Sequence, residues 1–263
     1  MRLAHRGATA AQVAYAQRQD RRNHGMPGHD ERHEVAERVT VAAKTFERPA
    51  VARRMVRSAR RVFDGRIVVA DDSRTPMASP GAGVEVVPMP FNSGVSRGRN
   101  AALDAVDTEL VLVTDDDIVF TAASRVGRAM RYLDEHPEVD LVGFLRVELP
   151  RRYAFDHGPD ALFPGADTPL RPWGEEIGGL PVRLKLEQVY LARTAAVRRV
   201  RWDERIRMVD HNDFFTRASG RLVAVLDHGI VAYHARPPFD AGYTAYREDV
   251  AEDLAYLGRK WRG

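Results

Sequence analysis

The sequence predicts an α/β fold, in which a mostly parallel β-sheet carries helices on both faces. Short apolar runs rich in β-branched residues alternate with segments of helical period between residues 38 and 147, which is the rhythm of strand–helix–strand units. The chain has 263 residues, 44% of them hydrophobic and 29% charged, as expected for one large globular domain or for one domain with an extension. Polar side chains follow several of the strand-like runs directly, at the positions where such sheets bind ligands.

The strands and helices can be placed in order along the chain. Pro49 stands where a helix begins, and Val51, Met55, Ala59 and Val62 then recur at helical spacing. Strands are predicted at residues 38–43, 66–70, 84–87, 110–113, 139–147, 189–192, 222–226 and 230–234, the last two as a pair separated by Asp227, His228 and Gly229. Helices are predicted at residues 49–62, 101–106, 122–135 and 194–200, and residues 241–263 are predicted as a helix or loop.

The first 38 residues depart from this rhythm. They hold four of the nine histidines, many arginines and few large apolar side chains. We interpret residues 1–38 as an N-terminal extension that is partly ordered or forms a contact in a homo-oligomer. A second departure begins at residue 148, where prolines, glycines and aromatic residues accumulate, which is typical of a functional loop region.

The composition argues against several classes of protein. There is no cysteine, which excludes disulfides and thiolate metal sites and fits a cytoplasmic protein. The longest apolar runs are too short for a membrane span, and the first residues lack the apolar core of a signal peptide. The formal net charge of +3 comes with scattered arginines, so we expect no nucleic-acid partner and find the charge compatible with a phosphate-bearing substrate.

Asp115, Asp116 and Asp117 follow the apolar strand at residues 110–113, and Ile118 resumes an apolar run directly. Three carboxylates between apolar segments repel one another and resist desolvation unless a cation or hydrogen-bond donors compensate. A divalent metal meets that need, because carboxylate oxygens are hard ligands for Mg²⁺ or Mn²⁺. An ordinary acidic loop after a core strand explains the triplet equally well, so the triplet alone leaves both interpretations open.

Three loops are expected to meet beyond the carboxyl ends of the strands, at residues 44–46, 71–73 and 115–117. Two of these loops are acidic. This composition suits a site in which one carboxylate accepts hydrogen bonds from a base or ribose and another binds a metal that bridges phosphates. Residues 94–100, GVSRGRN, precede a predicted helix, where glycines allow close approach and free N–H groups favour anions. Arg97 and Arg99 add charged donors for a phosphate there.

The ordered pieces VTVAAKTFERP, IVVADDS, GVSRGRNAALDAV and LVLVTDDDIVF resemble the inverting glycosyltransferases of the GT-A fold, broadly family two. The resemblance implies a Rossmann-like nucleotide-sugar-binding sheet with helices on both faces. More narrowly, KTF, ADDS, MPF, GRN, LART, WDERI, HNDFF and AYHA resemble the β-1,4-N-acetylgalactosaminyltransferases that build ganglioside head groups. The likeness covers roughly residues 38–238, and the ordered set of motifs carries it, because no single piece is specific.

The resemblance implies a metal-dependent inverting enzyme that moves GalNAc, GlcNAc, Gal or Glc from a UDP-sugar to a hydroxyl of a carbohydrate or glycosylated small molecule. It implies a catalytic domain at residues 39–263, with the acceptor side at about 148–240, and Mn²⁺ or Mg²⁺ as cofactor. The implied donor-binding residues are Lys44, Thr45, Phe46, Asp71, Asp72, Arg97, Arg99, Asn100, Asp115 and Asp116. The implied metal ligands are Asp117, Asp115 and His234, although a half-buried histidine at a strand end explains His234 without a metal.

The predicted catalytic base is Asp213, because Phe214 and Phe215 follow it and an apolar environment raises the pKa of a carboxyl group. The sequence departs here from the common family-two pattern of an acidic pair followed two residues later by another acid, since Asp210 and His211 take the places of the pair. His211 is then the alternative base, with Asp213 orienting His211 or the acceptor. A helix cap remains a purely structural explanation of Asp213.

Trp173 is the predicted acceptor platform, since aromatic faces stack on the C–H surfaces of sugars; a surface or core tryptophan is the alternative. Two other functions stay open. A nucleotidyltransferase that makes a nucleotide-sugar also uses carboxylate-bound metal, but that class usually has a glycine-rich first loop, and residues 44–49 hold no glycine. A non-catalytic nucleotide-sugar-binding protein would keep the fold, but the intact acids and arginines argue against it.

Overall fold

The computed structural model describes residues 2–236 and 241–261, and their elements alternate between helices and strands as the sequence predicts. In chain order they are α1 (Arg2–His24), α2 (His29–Arg38), β1 (Val39–Thr45), α3 (Pro49–Ala59), β2 (Ile67–Asp71), β3 (Val84–Pro88), α4 (Val95–Asp104), β4 (Leu110–Asp115), β5 (Ile118–Val119), α5 (Val126–Glu135), β6 (Leu141–Glu148), β7 (Tyr153–Ala154), β8 (Glu176–Ile177), β9 (Leu180–Pro181), β10 (Val189–Arg193), α6 (Thr194–Val200), α7 (Asp210–Ala218), β11 (Ala224–His234), α8 (Ala241–Glu248) and α9 (Ala251–Trp261).

The central sheet has the strand order β3-β2-β1-β4-β10-β6-β11-β5, with β7 paired to the end of β6. Strands β3, β2, β1 and β4 run parallel, as do β6 and β11, whereas β10 is antiparallel to both β4 and β6. The sheet is therefore mixed, where the sequence predicted a mostly parallel one. Because β10 is inverted, the segment that precedes it lies at the same edge as the carboxyl ends of β1, β4, β6 and β11.

Alternate residues of the central strands pack into two cores on opposite faces of the sheet. Val41 and Ala43 of β1 join the core formed with α3 and α5. Ala42 joins the other core, which contains residues of α4, α6 and α7. Strands β2 and β4 are buried along their length except at Asp115, as uninterrupted apolar runs predict. An α/β sheet with helices on both faces is thus confirmed.

The C-terminal strand differs from the prediction of two paired strands at residues 222–226 and 230–234. It is a single strand, β11, which pairs with β6 on both sides of an irregularity between Asp227 and Val231. Asp227 accepts a hydrogen bond from the Gly229 N–H (2.8 Å) and pairs with Arg128 of α5 (2.7 Å). The turn-forming residues therefore make a bulge instead of a hairpin, and β11 carries His234 to the edge of the sheet.

Helix α4 begins earlier than the sequence predicts. Gly94 has a φ of +97°, which favours glycine, and the helix starts at the next residue. Arg97, Arg99 and Asn100 consequently lie on the first turns of a helix instead of in a loop, and the helix sends their side chains in different directions.

Residues 2–38 form two helices that pack on the rest of the chain. Ala16 of α1 is buried with residues of β5 and β11, and Asp20 accepts a hydrogen bond from Thr121 Oγ1 at 2.6 Å. Val35 of α2 joins the core on the α3 and α5 side. The boundary at residue 38 and an oligomer contact there stay predictions.

Candidate functional site

A cavity of about 170 Å³ opens at the edge of the sheet where β1, β4, β6 and β11 end and β10 begins. Sheets of this class bind ligands at that edge. The cavity lining brings together eight predicted site residues, which are Lys44, Phe46, Arg99, Asp115, Asp116, Asp117, His211 and His234. Seven others lie in the described part of the chain but outside the lining, which are Thr45, Asp71, Asp72, Arg97, Asn100, Asp213 and Trp173.

Asp116 is the most deeply buried member of the acidic triplet. Thr45 Oγ1 donates a hydrogen bond to its carboxylate at 2.7 Å, and the Arg48 guanidinium pairs with it. Arg48 also lies 3.3 Å from Asp117 Oδ2 and stacks 3.8 Å from the centre of the Tyr243 ring. Burial raises the pKa of Asp116 to about 6, although Arg48 opposes the rise. Asp116 therefore anchors Arg48 in the cavity lining, and Thr45 supports this pair.

His234 joins the acidic triplet to the end of β6. Its Nε2 atom lies 3.0 Å from Asp117 Oδ1, and its Nδ1 atom lies 2.7 Å from the Glu148 carboxylate. Burial alone would lower the pKa of His234, but Asp117 and Glu148 outweigh burial and raise it to about 10. An imidazolium between the two carboxylates offsets part of their charge, and Arg48 beside Asp117 and Arg146 beside Glu148 offset the rest.

The same residues fit a divalent metal. Asp117 Oδ1 and His234 Nε2 both face the cavity and are separated by the 3.0 Å typical of neighbouring ligands on one ion. Glu148 on the other ring nitrogen is the outer partner that metal-binding histidines usually have. No group of three or more histidine and acidic side chains is arranged as a metal site within the described residues. A metal here would thus take few protein ligands and complete its shell with phosphate oxygens and water.

Arg99 connects the acidic triplet to the start of α7. Its Nη2 atom lies 2.7 Å from Asp115 Oδ1, and its Nε atom lies 2.9 Å from Asp210 Oδ2. Burial raises the pKa of Asp210, and the Arg99 charge opposes that rise. Asp115 and Asp210 thereby face the same cavity from two sides, held by one guanidinium.

Asp71, the last residue of β2, and Asp72, which follows it, both bond to other groups of the protein. Asp71 accepts hydrogen bonds from the N–H groups of Ser73 (2.9 Å) and Met77 (2.7 Å). Asp72 accepts one from the Gly94 N–H at 2.9 Å and pairs with Lys44 Nζ at 2.7 Å. Burial lowers the pKa of Lys44 despite this pair. Both aspartates are buried, so they shape the wall behind Lys44, and their predicted contact with a donor stays a prediction.

Three aromatic rings form one end of the cavity region. Phe46 lies 5.6 Å from Phe91 and 5.1 Å from Tyr246 between ring centres, and the second pair is edge-to-face. Lys44 Nζ sits 4.9 Å from the Phe46 ring centre. An aromatic wall beside a cation is suited to a flat, polar ring such as a nucleobase.

The remaining residues of the GVSRGRN motif point elsewhere. The Arg97 side chain is 57% exposed and lies 3.9 Å from Glu204. Asn100 donates a hydrogen bond to the Trp202 carbonyl at 2.9 Å and accepts one from the Trp202 N–H at 3.0 Å. Asn100 thus ties α4 to the segment before α7 and positions Arg99 indirectly.

The first turn of α7 separates the predicted bases. Asp213 is fully buried and accepts hydrogen bonds from Arg217 Nε (2.7 Å), Lys260 Nζ (2.6 Å) and Trp261 Nε1 (2.9 Å). The structure therefore places Asp213 away from the cavity, in contacts between α7 and α9, where it does not face an acceptor. Asp210, three residues earlier, lines the cavity instead.

His211 also lines the cavity, and its Nε2 atom lies 2.6 Å from the Leu186 carbonyl oxygen. Because a carbonyl oxygen only accepts, Nε2 carries the proton. Burial, assisted by Lys185, lowers the pKa of His211 to about 3. His211 is thus neutral at physiological pH and a weak base.

The sequence model described as Glycosyl transferase family 2 matches residues 40–204, which include β1 to β4 and the whole acidic triplet. The chain belongs to glycosyltransferase family 2. The match ends before α7, so the start of α7 and His234 lie outside it.

Curated relatives of this family 2 chain are named β-1,4 N-acetylgalactosaminyltransferases. Beta-1,4 N-acetylgalactosaminyltransferase 1 of Homo sapiens is 36% identical over an alignment of 242 residues that covers 84% of this chain and 45% of that protein. Beta-1,4 N-acetylgalactosaminyltransferase 2 of Mus musculus is 32% identical over an alignment of 210 residues that covers 77% of this chain and 40% of that protein. The chain spans less than half the length of these relatives.

Solved structures of similar fold are GT-A glycosyltransferases, which confirms the predicted fold class. S. aureus TarS 1–349 in complex with UDP has a TM-score of 0.56 and 17% identity, and the match covers 74% of this chain and 60% of that one. The mannosyltransferase PcManGT from Pyrobaculum calidifontis, in complex with GDP-Man and Mn²⁺, has a TM-score of 0.56 and 17% identity, and covers 97% and 73%. At this identity the likeness concerns the fold.

Trp173 of the family 2 chain is not part of the cavity lining. Its Nε1–H donates a hydrogen bond to the His157 carbonyl at 2.9 Å, and the Arg183 guanidinium lies 4.8 Å from its ring centre. The residue is 39% exposed. Its contact with an acceptor stays a prediction.

The sequence did not indicate several residues of the site. Arg48, Arg146 and Gln188 line the cavity, and Glu148 supports His234. Arg48 lies in the motif KTFERP, but the motif indicated no role for it. Glu148 directly follows the strand predicted at residues 139–147, and the rule that ligands bind at strand ends would have identified it. Gln188 becomes visible only when β10 is known to be antiparallel, because a residue before a parallel strand lies at the opposite edge.

None of the helices in residues 2–236 and 241–261 is long and apolar enough to cross a lipid bilayer.

Proposed function

We propose that the chain is a metal-dependent inverting glycosyltransferase, which moves GalNAc, GlcNAc, Gal or Glc from a UDP-sugar to a hydroxyl of a carbohydrate or glycosylated acceptor. The observation that carries this proposal is the placement of Asp117 and His234, 3.0 Å apart, across one cavity from Asp210. Family membership, the names of the relatives, and the TarS complexes with UDP and UDP-GlcNAc support a UDP-sugar.

In the proposed complex, the nucleoside packs against the aromatic wall of Phe46, Phe91 and Tyr246 and lies beside Lys44. Asp72 fixes the Lys44 ammonium by a 2.7 Å ion pair, so Lys44 is pre-positioned to donate to the nucleotide. Arg99 holds Asp115 at the neighbouring edge of the cavity. The roles of Asp71, Arg97 and Asn100 are then to shape the loops that carry these groups.

Asp117 and His234 are the residues that would hold the metal, with Asp115 beside them. A bound Mn²⁺ or Mg²⁺ would neutralise charge that develops on the departing diphosphate. With a metal present, Glu148 would keep the proton on His234 Nδ1, and Nε2, which pairs with Asp117 in this structure, would bind the metal. The complex of PcManGT with Mn²⁺ supports a metal in this fold.

We propose Asp210 as the general base in place of the predicted Asp213. Asp210 faces the cavity, and burial raises its pKa toward a range useful for proton transfer. The acceptor hydroxyl oxygen forms a bond to the anomeric carbon, and its proton passes to the Asp210 carboxylate. The bond from the anomeric carbon to the diphosphate oxygen breaks, and its electron pair leaves with UDP. Attack opposite the leaving group inverts the anomeric centre.

A donor panel tests this function. Purified chain is incubated with UDP-GalNAc, UDP-GlcNAc, UDP-Gal or UDP-Glc and candidate acceptors, and released UDP is measured with Mn²⁺ or with EDTA. We expect UDP release from at least one donor in Mn²⁺, its loss in EDTA, and an inverted anomeric signal in the product ¹H NMR spectrum. Retention of configuration would contradict an inverting enzyme.

Two outcomes would favour the other functions. Pyrophosphate release from a sugar phosphate and a nucleoside triphosphate would indicate a nucleotidyltransferase. Donor binding without turnover on any acceptor, in a chain that melts cooperatively, would favour a non-catalytic nucleotide-sugar-binding protein.

A further inference from the structure

Gln188 is a buried amide without a hydrogen-bond partner in the part of the chain that the structure describes. It is 4% exposed, and neither its Nε2 nor its Oε1 atom has a hydrogen-bond partner within residues 2–236 and 241–261. An amide that is buried without partners costs stability, because it gives up its hydrogen bonds to water on folding. Gln188 also lines the proposed donor cavity. A group held at such a cost beside a cavity is expected to have its partners in a ligand.

The two residues that precede Gln188 are held by contacts with other parts of the chain. The Leu186 carbonyl lies 2.6 Å from His211 Nε2. The Glu187 carboxylate pairs with Arg146 at 3.0 Å and with His157 at 3.0 Å. The neighbouring side chains are therefore committed to the chain, and the uncommitted amide is held in a rigid segment, as a recognition residue requires.

The position of Gln188 indicates which part of the donor it meets. Val189, the next residue, pairs with Thr114 of β4, so Gln188 lies at the edge where Asp115 begins the acidic triplet. Asp115, beside the proposed diphosphate site, is thus a neighbour of Gln188, and His211 at the start of α7 contacts the carbonyl of Leu186, two residues before it. The reacting sugar must lie between the leaving diphosphate and the base. The nucleoside end, at Lys44 and Phe46, lies at the end of β1, on the far side of β4 from Gln188.

We propose that Gln188 reads the transferred sugar, by donating to and accepting from one hydroxyl or acetamido group of its ring. Both groups offer a donor and an acceptor close together, and they match the two unpartnered atoms of a carboxamide. An anion suits the amide less well, because a phosphate oxygen only accepts and would leave Oε1 unpaired. This inference rests on the proposed function and adds the residue that selects the sugar.

The test compares Gln188→Met, which keeps the length of the side chain and removes both polar atoms, with wild type. Gln19→Met, on α1 outside the cavity lining, is the matched control. Dissociation constants are measured by calorimetry in Mn²⁺ for UDP alone and for UDP-GalNAc, UDP-GlcNAc, UDP-Gal and UDP-Glc. Melting temperatures are measured without ligand.

We expect Gln188→Met to bind UDP as wild type does and to bind the preferred UDP-sugar about tenfold more weakly, the usual effect of one or two lost hydrogen bonds in a buried site. The unliganded variant should melt at a higher temperature, because it no longer buries an unpaired amide. A purely structural glutamine would give the opposite sign. A loss confined to acetamido sugars assigns the contact to that group, and a loss for all four assigns it to a hydroxyl.

Unchanged UDP-sugar affinity in folded Gln188→Met would overturn the inference, and so would an equal loss for UDP alone. If the methionine variant does not fold, Gln188→Asn, which shortens the amide, must show the same selective loss or the inference fails. The two proposals fail separately. A wild-type chain that binds no UDP-sugar contradicts the proposed function, whereas wild-type binding with an unaffected variant contradicts only the role of Gln188.

Discussion

Two acidic stretches meet near the cavity, and their carboxylates are compensated in different ways. After β4, Asp115 pairs with Arg99, Asp116 with Arg48, and Asp117 with both His234 and Arg48. At the start of α7, Asp210 shares Arg99 and faces the cavity, whereas Asp213 is enclosed by Arg217, Lys260 and Trp261. The role of an aspartate in this region is thus set by its partners and by its access to the cavity.

The largest effect should separate the two aspartates of α7. Asp210→Asn removes the proposed proton acceptor, so kcat should fall by about 10² to 10⁴, the usual contribution of a general base. Binding of UDP in Mn²⁺ should persist, because the acidic triplet is unchanged. Steady-state kinetics and calorimetry on one preparation measure both. If folded Asp213→Asn loses turnover and Asp210→Asn keeps it, the base is Asp213 and our assignment is wrong.

The second prediction concerns the support of the metal site. Glu148→Gln keeps the shape of the side chain but weakens the hold on His234 Nδ1, so Mn²⁺ affinity in the presence of UDP should fall about 10- to 100-fold. Asp227→Asn is the matched control, since it also neutralises a buried carboxylate of the β6–β11 strand pair, one that pairs with the half-exposed Arg128. Equal Mn²⁺ affinity in the two variants would show that Glu148 does not support a metal ligand.

The third prediction treats Asp213 as a structural residue. Asp213→Asn removes the carboxylate that pairs with Arg217 and with Lys260, although Lys260 keeps Asp203, so the free energy of unfolding should fall by about 2 kcal/mol, as for hydrogen bonds to charged groups. Asp104→Asn, in an exposed pair with Arg201, should change stability by less than about 1 kcal/mol. Urea denaturation of both variants gives the comparison, and equal stabilities would contradict a structural role for Asp213.

The smallest effect on turnover is expected at His211. His211→Gln can still donate to the Leu186 carbonyl, and kcat should stay within about tenfold of wild type, less than the loss of a general base causes. A larger loss in a folded variant would restore His211 as the base.

The same variant gives a pH test. The pKa of His211 is lowered in the folded chain, so below about pH 6.5 the unfolded chain takes up a proton that the folded chain refuses. Wild-type stability should therefore fall as the pH drops below that value, by up to about 1.4 kcal/mol per pH unit from this residue. His211→Gln should lack this component, and parallel curves for the two proteins would contradict a buried neutral His211.

Much of the sheet was predictable from the sequence, because its strands are apolar runs that end sharply at polar residues. Strand β10 and helix α6 fall where periodicity places them. Strand β11 was mispredicted, since Asp227 and Gly229 have the composition of a turn but form a bulge. The start of α4 was mispredicted because a glycine-rich motif does not reveal that only Gly94 has a positive φ.

The parts of the candidate site that lie in one contiguous motif could be predicted from the sequence. The parts that the fold brings together from distant positions could not. The acidic triplet is contiguous, and its position after a buried strand is enough to find it. Glu148 meets His234 across 86 residues of sequence, and Gln188 reaches the cavity through an inverted strand. Asp210 and Asp213 are three residues apart on one helix, so their side chains leave the helix axis only about 60° apart. The sequence alone could therefore not choose between them.

The central claim is that Asp117 and His234 hold a divalent cation that helps to bind a nucleoside diphosphate. Calorimetric titration of UDP, with Mn²⁺ and with EDTA, into wild type, Asp117→Asn and the exposed control Asp104→Asn tests it most directly. We expect Mn²⁺ to strengthen UDP binding to wild type and to Asp104→Asn and to give no gain in folded Asp117→Asn. The same gain from Mn²⁺ in all three proteins would contradict the claim.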